Sequence, residues 1–151
     1  MTYYDKVAPG YNELHKDEQL AKVRIVLKEI NLSRDTILDV GCGTALYSYL
    51  FRFYTGIDSS QGMLDQANAK VVFGEAENLP FEDKSFDIVI SVTAIHNFKD
   101  PKKAIQEMKR VARKKVIITL LKKAKNFEEI LNELKDFRQI DQEKDLVLIK
   151  G

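Results

Sequence analysis

Asp39, Gly41, Gly43 and Asp58 are the residues whose types and spacing could do chemistry. The apolar run Thr36-Ile37-Leu38-Asp39-Val40 empties into Gly41-Cys42-Gly43, which reads as a buried parallel strand ending in a tight turn. Glycine at 41 and 43 permits positive φ and lets backbone approach a ligand, because no Cβ intervenes. A helix behind the turn would add unpaired N–H groups to the site. The stretch therefore reads as a nucleotide-type cofactor site. Asp58 follows Gly43 by 15 residues and ends a second apolar run. A carboxylate there can accept both hydroxyls of a ribose; the competing reading is a helix-capping or solvent-facing acid. The dinucleotide pattern G-x-G-x-x-G/A asks for Gly or Ala at position 46, and this chain has Leu46. Asp39 would repel a pyrophosphate but suits a cationic ammonium. The implied cofactor carries a ribose and a positive charge and no phosphate, which leaves a nicotinamide dehydrogenase as a distant reading.

The elements that must position these residues follow from periodicity. Helical spacing of Leu14, Leu20, Val23, Val26, Leu27 and Ile30 predicts a helix from Asn12 to about Ile30. Seven strands are expected: Thr36–Val40, Tyr54–Asp58, Val71–Phe73, Phe86–Ser91, Val116–Leu120, Asp136–Ile140 and Leu146–Ile149. Between them fall a short helix from Ala45 to about Phe51, another capped by Ser59 or Ser60 and running through Ala67, one from about Lys102 to Ala112, and one carrying Phe127 to Leu134. Pro101 suits the first turn of the third. The last two strands form a hairpin at the sheet edge. Alternating strands and helices imply right-handed crossovers and an α/β, doubly wound, mostly parallel seven-stranded sheet with an antiparallel C-terminal edge hairpin. Asp39 to Gly43, Asp58, Gly74 to Glu77 and Ser91 to Asn97 all fall at strand ends, so they converge on one crevice where strand order reverses.

The chain has 151 residues, 44% hydrophobic and 31% charged, which fits one globular domain over residues 1–151: an N-terminal cap and helix (1–31), a cofactor-binding core (36–120), and a helix with an edge hairpin (126–151). A net charge of +1 provides no global attraction to nucleic acid or membrane. No apolar run approaches the ~20 residues of a membrane span, and Met1 to Gly10 has no apolar signal region. One cysteine, Cys42, excludes an internal disulfide and a cysteine-based zinc cage, so no metal is expected and a cytoplasmic location follows.

Four blocks in collinear order, Ile37-Leu38-Asp39-Val40-Gly41-Cys42-Gly43-Thr44, Gly56-Ile57-Asp58-Ser59-Ser60, Gly74-Glu75-Ala76-Glu77-Asn78-Leu79-Pro80-Phe81 and Ser85-Phe86-Asp87-Ile88-Val89, resemble a class I S-adenosylmethionine-dependent methyltransferase of the type 11, UbiE-like subgroup. The resemblance implies a Rossmann-like fold and S-adenosyl-L-methionine as cofactor, with S-adenosyl-L-homocysteine as product. It implies that Gly41, Cys42 and Gly43 lie against the methionine part and that Asp39 holds the ammonium. Asp58 would take the ribose hydroxyls, with Ser59 and Met63 beside the adenine. Glu75, where the family usually has Asp, and the Ala76 N–H would face the adenine amino group, and Ser91 with Val92 to Ile95 would pass beneath the sulfonium. The family's third turn glycine is Ala45 here. Tyr3 and Tyr11 resemble a segment that closes over the cofactor, through cation–π contact or by packing the first helix on the sheet.

His96, after the fourth strand, could take a proton from the acceptor or serve a structural role; His15 reads as structural or exposed. Cys42 also reads as a small filler. Residues 99–125 hold eleven Lys or Arg against Asp100 and Glu107, a solvated face or a guide for RNA or an acidic partner. The methyl acceptor (small molecule, RNA or protein) is not identified by the sequence. The alternative function is a cofactor-binding subunit that is inactive until a partner protein activates it.

Overall fold

A computed structural model describes residues 20–151 of the chain. The apolar runs assemble into a seven-stranded sheet of order β3-β2-β1-β4-β5-β7-β6. Its strands are β1 (Thr36–Val40), β2 (Phe53–Asp58), β3 (Val71–Phe73), β4 (Phe86–Val92), β5 (Ala112–Leu121), β6 (Arg138–Asp141) and β7 (Asp145–Lys150). Pairing is parallel from β3 through β5. β7 runs antiparallel between β5 and β6. The order reverses at β1, which pairs with β2 on one side and β4 on the other, and the expected crevice lies there.

Period-2 alternation gives the sheet two apolar faces. Leu38, Val40, Ile57, Val89 and Ile118 belong to one, under Ala104, Ile105, Met108 and Val111 of helix α3 (Pro101–Val111). Ile37, Ile88, Ile90 and Ile117 belong to the other, with Val23 and Val26. The latter two come from the described part of the first helix, α1 (residues 20–27), which gives way to turns before Ile30. Asp100 caps α3, its Oδ1 accepting from the Lys103 N–H at 3.1 Å, and Pro101 occupies the first turn.

Several boundaries differ from the sequence reading. β5 starts at Ala112, four residues early, because Arg113, Lys114 and Lys115 find carboxylate partners on neighbouring elements. β6 starts at Arg138 rather than Asp136, whose carboxylate bridges Lys109 and Lys150. Helix α2 is one turn, Gln61–Leu64, with the Ser60 hydroxyl accepting from Met63 N–H at 3.3 Å, and α4 covers Phe127–Asn132. The largest correction concerns Ala45 to Phe51. No α-helix forms there; Ala45 takes φ +53° and only a 3₁₀ turn, Ser48–Leu50, follows. The apolar spacing that suggested a helix instead buries Tyr47 and Phe51, whose rings meet edge-on at 6.4 Å. Among the described residues no helix is long and apolar enough to cross a membrane.

Candidate functional site

A cleft of about 240 Å³ opens at the carboxyl ends of β1, β2, β3 and β4. The expected residues Gly41, Gly43, Asp58, Ser59, Met63, Glu75 and Ala76 all line it. Gly41 has φ +78° and Gly43 φ +58°, so the turn needs the left-handed freedom that glycine supplies. A Cβ on Gly41 would also come within 2.7 Å of Ala94 Cβ. Close approach as well as torsion therefore selects glycine at that position.

The hydrogen bonds of the turn decide what it can hold. Gly41 and Cys42 N–H donate to the Ile57 carbonyl at 2.8 and 3.1 Å, and Gly43 N–H donates to Asp58 Oδ2 at 2.8 Å. These donors are spent on β2, and no helix N-terminus stands behind them, so a pyrophosphate has no cradle here. Asp58 Oδ1 also accepts from Ser60 N–H at 2.8 Å. Backbone donors thus fix the carboxylate in the cleft wall, where it faces any ligand that enters.

Asp39 lies behind this wall and does not line the cleft. It is fully buried, and Tyr54 donates its hydroxyl to Oδ2 at 2.6 Å, whereas Oδ1 is buried without a hydrogen-bond partner. Burial pushes its pKa up to about 7 against the opposing Tyr54 and Tyr47 hydroxyls, and the Asp58 charge adds to the rise. Cys42 packs in the same cluster: a Cβ on Gly56 would sit 2.6 Å from its Sγ. Burial raises the thiol well above its usual range, as fits a filler.

Two further expected residues sit off the cleft. Ser91 is fully buried, donating its hydroxyl to the Val40 carbonyl at 2.9 Å, and so ties β4 to the end of β1. His96 lies on a 3₁₀ turn, Ile95–Asn97, half-buried; burial lowers its pKa, and Asp145 and Lys22 are its charged neighbours. Tyr3, Tyr11 and His15 lie outside the described residues. Val92, Thr93, Ala94 and Asn97, from the segment expected in the crevice, line it, and the structure adds Phe98 and Lys99. The expectation of a ligand at strand ends pointed to this segment, but nothing local in the sequence singles out Thr93, which takes φ +49°.

The loop after β3 is held by α3. Arg110 donates to the carbonyls of Leu79 (3.0 Å) and Phe81 (2.8 Å), and Glu107 accepts from Leu79 N–H at 2.9 Å. The basic run largely disappears into such contacts. Six of its eleven cations, Lys109, Arg110, Arg113, Lys114, Lys115 and Lys122, pair with carboxylates. That favours the structural reading of the run over an RNA track.

Comparison with known proteins gives the same picture. The chain is 38% identical over 115 residues to the uncharacterised protein MJ1252 of Methanocaldococcus jannaschii, covering 72% of this chain and 45% of that protein. It is 30% identical over 141 residues to the demethylmenaquinone methyltransferase of Thermotoga maritima, covering 80% and 61%. The chain thus spans about half to three fifths of the curated relatives it matches. In fold it is similar to the methyltransferase chain solved in complex with the Trm112 methyltransferase activator of Haloferax volcanii (TM-score 0.78, 15% identity, 99% and 97% covered). A SAM-dependent methyltransferase from Aquifex aeolicus is similar as well (TM-score 0.68, 24% identity, 97% and 95% covered). Residues 38–120 match the model of the methyltransferase domain, and the chain belongs to that family, the class I, type 11 methyltransferases.

Proposed function

We propose that this chain binds S-adenosyl-L-methionine in the cleft and transfers its sulfonium methyl to a nucleophilic acceptor. The observation that carries the reading is Asp58: a carboxylate at the end of β2, held in the cleft wall by Gly43 and Ser60 N–H groups, beside a turn whose own donors are spent. A diol satisfies such a carboxylate and a phosphate does not.

The chain's residues divide the work. Asp58 holds the ribose hydroxyls. Ser59, Met63, Glu75 and Ala76 line the adenine side, and Gly41 and Gly43 leave room for the methionine arm. Asp39 supplies negative charge behind the turn when a ligand ammonium draws off its proton. The bound cofactor supplies an electrophilic methyl whose leaving group is a neutral thioether, so positioning of the acceptor is the main demand on the protein. His96 is not among the residues that line the cleft and takes no proton in this scheme.

A second reading, a subunit needing an activating partner, draws support from the likeness to a chain solved with an activator and from exposed Tyr49 (71%) and Phe73 (58%). One experiment addresses both. Label from methyl-tritiated cofactor is followed into RNA, protein and metabolite fractions, with the purified chain alone and with proteins that co-purify with it. Transfer by the chain alone establishes the leading reading, transfer only with a co-purified protein establishes the second, and none under either condition contradicts both.

A further inference from the structure

The cleft wall contains a strained residue with an unusual support. Thr93 has φ +49°, a conformation that β-branched side chains rarely take and that persists only where surroundings over-determine it. Its N–H donates to Thr119 Oγ1 at 2.7 Å and to the Thr119 carbonyl at 3.1 Å, and the two hydroxyls stand 3.0 Å apart. The remaining contact comes from another layer: Lys22 Nζ on α1 donates to Thr93 Oγ1 at 3.1 Å. That ammonium is itself held by Asp145 Oδ2 at 3.0 Å, with side-chain exposures of 14% for Lys22 and 3% for Asp145.

A pair this buried gives back little stability for its desolvation. Its geometric effect is specific, because it fixes the Thr93 hydroxyl from α1, an element outside the cleft lining. Thr93 and Ala94 both line the cleft, and Ala94 is the atom group that crowds Gly41. We propose that Lys22 is a positioning residue for the cofactor cleft: anchored by Asp145, it holds Thr93 left-handed and so keeps the Thr93–Ala94 wall seated against the Gly41 turn. The inference uses the cofactor reading only for its ligand probe.

Lys22→Met alone leaves a buried carboxylate behind and risks failing to fold, so the working variant is Lys22→Met with Asp145→Asn. Its affinity for S-adenosylhomocysteine should fall about tenfold while Tm stays close to wild type, and Lys22→Arg should keep most of the affinity. In a Thr93→Gly background, where glycine holds positive φ unaided, the same pair of changes should cost less than about twofold. Equal losses in both backgrounds, or none in either, overturn the proposal. Amide hydrogen exchange gives a readout that needs no ligand: protection at Thr93 should drop in the double variant while Val89 and Ile90 in mid-β4 keep theirs. Unchanged Thr93 protection also overturns it. Failure of the wild type to bind S-adenosylhomocysteine would instead strike at the cofactor reading, leaving the exchange result to decide this one.

Discussion

The two ends of the sheet treat carboxylates in opposite ways. At the amino ends Asp35, Asp87 and Glu29 each meet cations: Asp35 pairs with Lys114 at 2.7 Å, Asp87 with Arg113, and Glu29 with Lys115 at 3.2 Å. Burial alone would raise their pKa values, but the Lys and Arg partners, with backbone N–H bonds from Asn31 and Thr36 to the two aspartates, outweigh it and hold all three low. At the carboxyl ends of β1 and β2, Asp39 meets the neutral hydroxyls of Tyr54 and Tyr47, and Asp58 accepts from the Gly43 and Ser60 N–H groups. Burial therefore wins at Asp39 and raises it to about 7. The same residue type thus meets cations at one end and, at the other, stands in or just behind the cleft wall.

The contrast can be broken from either side. The largest loss of stability is expected at the amino end: Asp87→Ala removes a 6%-exposed carboxylate that accepts from Thr36 N–H and Arg113. It should cost about 2–3 kcal/mol in urea unfolding, the loss of charge-assisted hydrogen bonds to a buried carboxylate, while the folded fraction binds S-adenosylhomocysteine as before. A comparable loss of affinity in the folded fraction would mean the two ends are not separable.

At the carboxyl end, Asp58→Ala should weaken S-adenosylhomocysteine binding about 100-fold, the loss of two charge-assisted hydrogen bonds, with a smaller loss of stability. Asp39 sets a pH dependence. Its folded pKa of about 7 lies above the 3.8 of an unperturbed aspartate, so between those values the folded state keeps a proton the unfolded state has lost. Stability from this group is therefore present in full below about pH 4 and is lost as pH rises through 7. The amino-end carboxylates act in the reverse direction and lose their contribution as pH falls through their lowered values. Asp39→Asn should remove the neutral-pH loss, gaining about 4 kcal/mol at pH 8 relative to its effect at pH 4; a pH-independent difference would contradict the assigned shift. Smallest is Arg110→Met, which frees the Leu79–Phe81 loop at a side chain 31% exposed. About 1 kcal/mol of stability should go, with a few-fold loss of affinity through Glu75 and Ala76.

Much of the fold was legible because the strands are apolar runs punctuated by glycine or acid, and each of the seven was expected within a few residues of where it lies. Ala45 to Phe51 was not legible: a left-handed alanine bends the chain, and Tyr47 and Phe51 reach the core without a helix. In the site, the residues that face the cleft and those beside it in sequence are hard to separate. Cys42, Ser91 and Asp39 are neighbours of cleft residues, yet their side chains point into packing, because adjacency along a strand or turn does not fix orientation. The ion pairs of the basic run were hidden for another reason. The carboxylates that neutralise Arg113, Lys114 and Lys115 lie 26, 79 and 86 residues away, beyond any local pattern.

The central claim is that Asp58 and the Gly41–Gly43 turn form a cofactor site whose ligand has a ribose and no phosphate. Calorimetric titration of S-adenosylhomocysteine into the wild type and Asp58→Ala, with a nicotinamide dinucleotide as control, tests it directly. The account predicts one molecule bound per chain in the wild type, a loss of about 100-fold in Asp58→Ala, and no heat from the dinucleotide. Absence of binding by the folded wild type, or undiminished binding by Asp58→Ala, would contradict it.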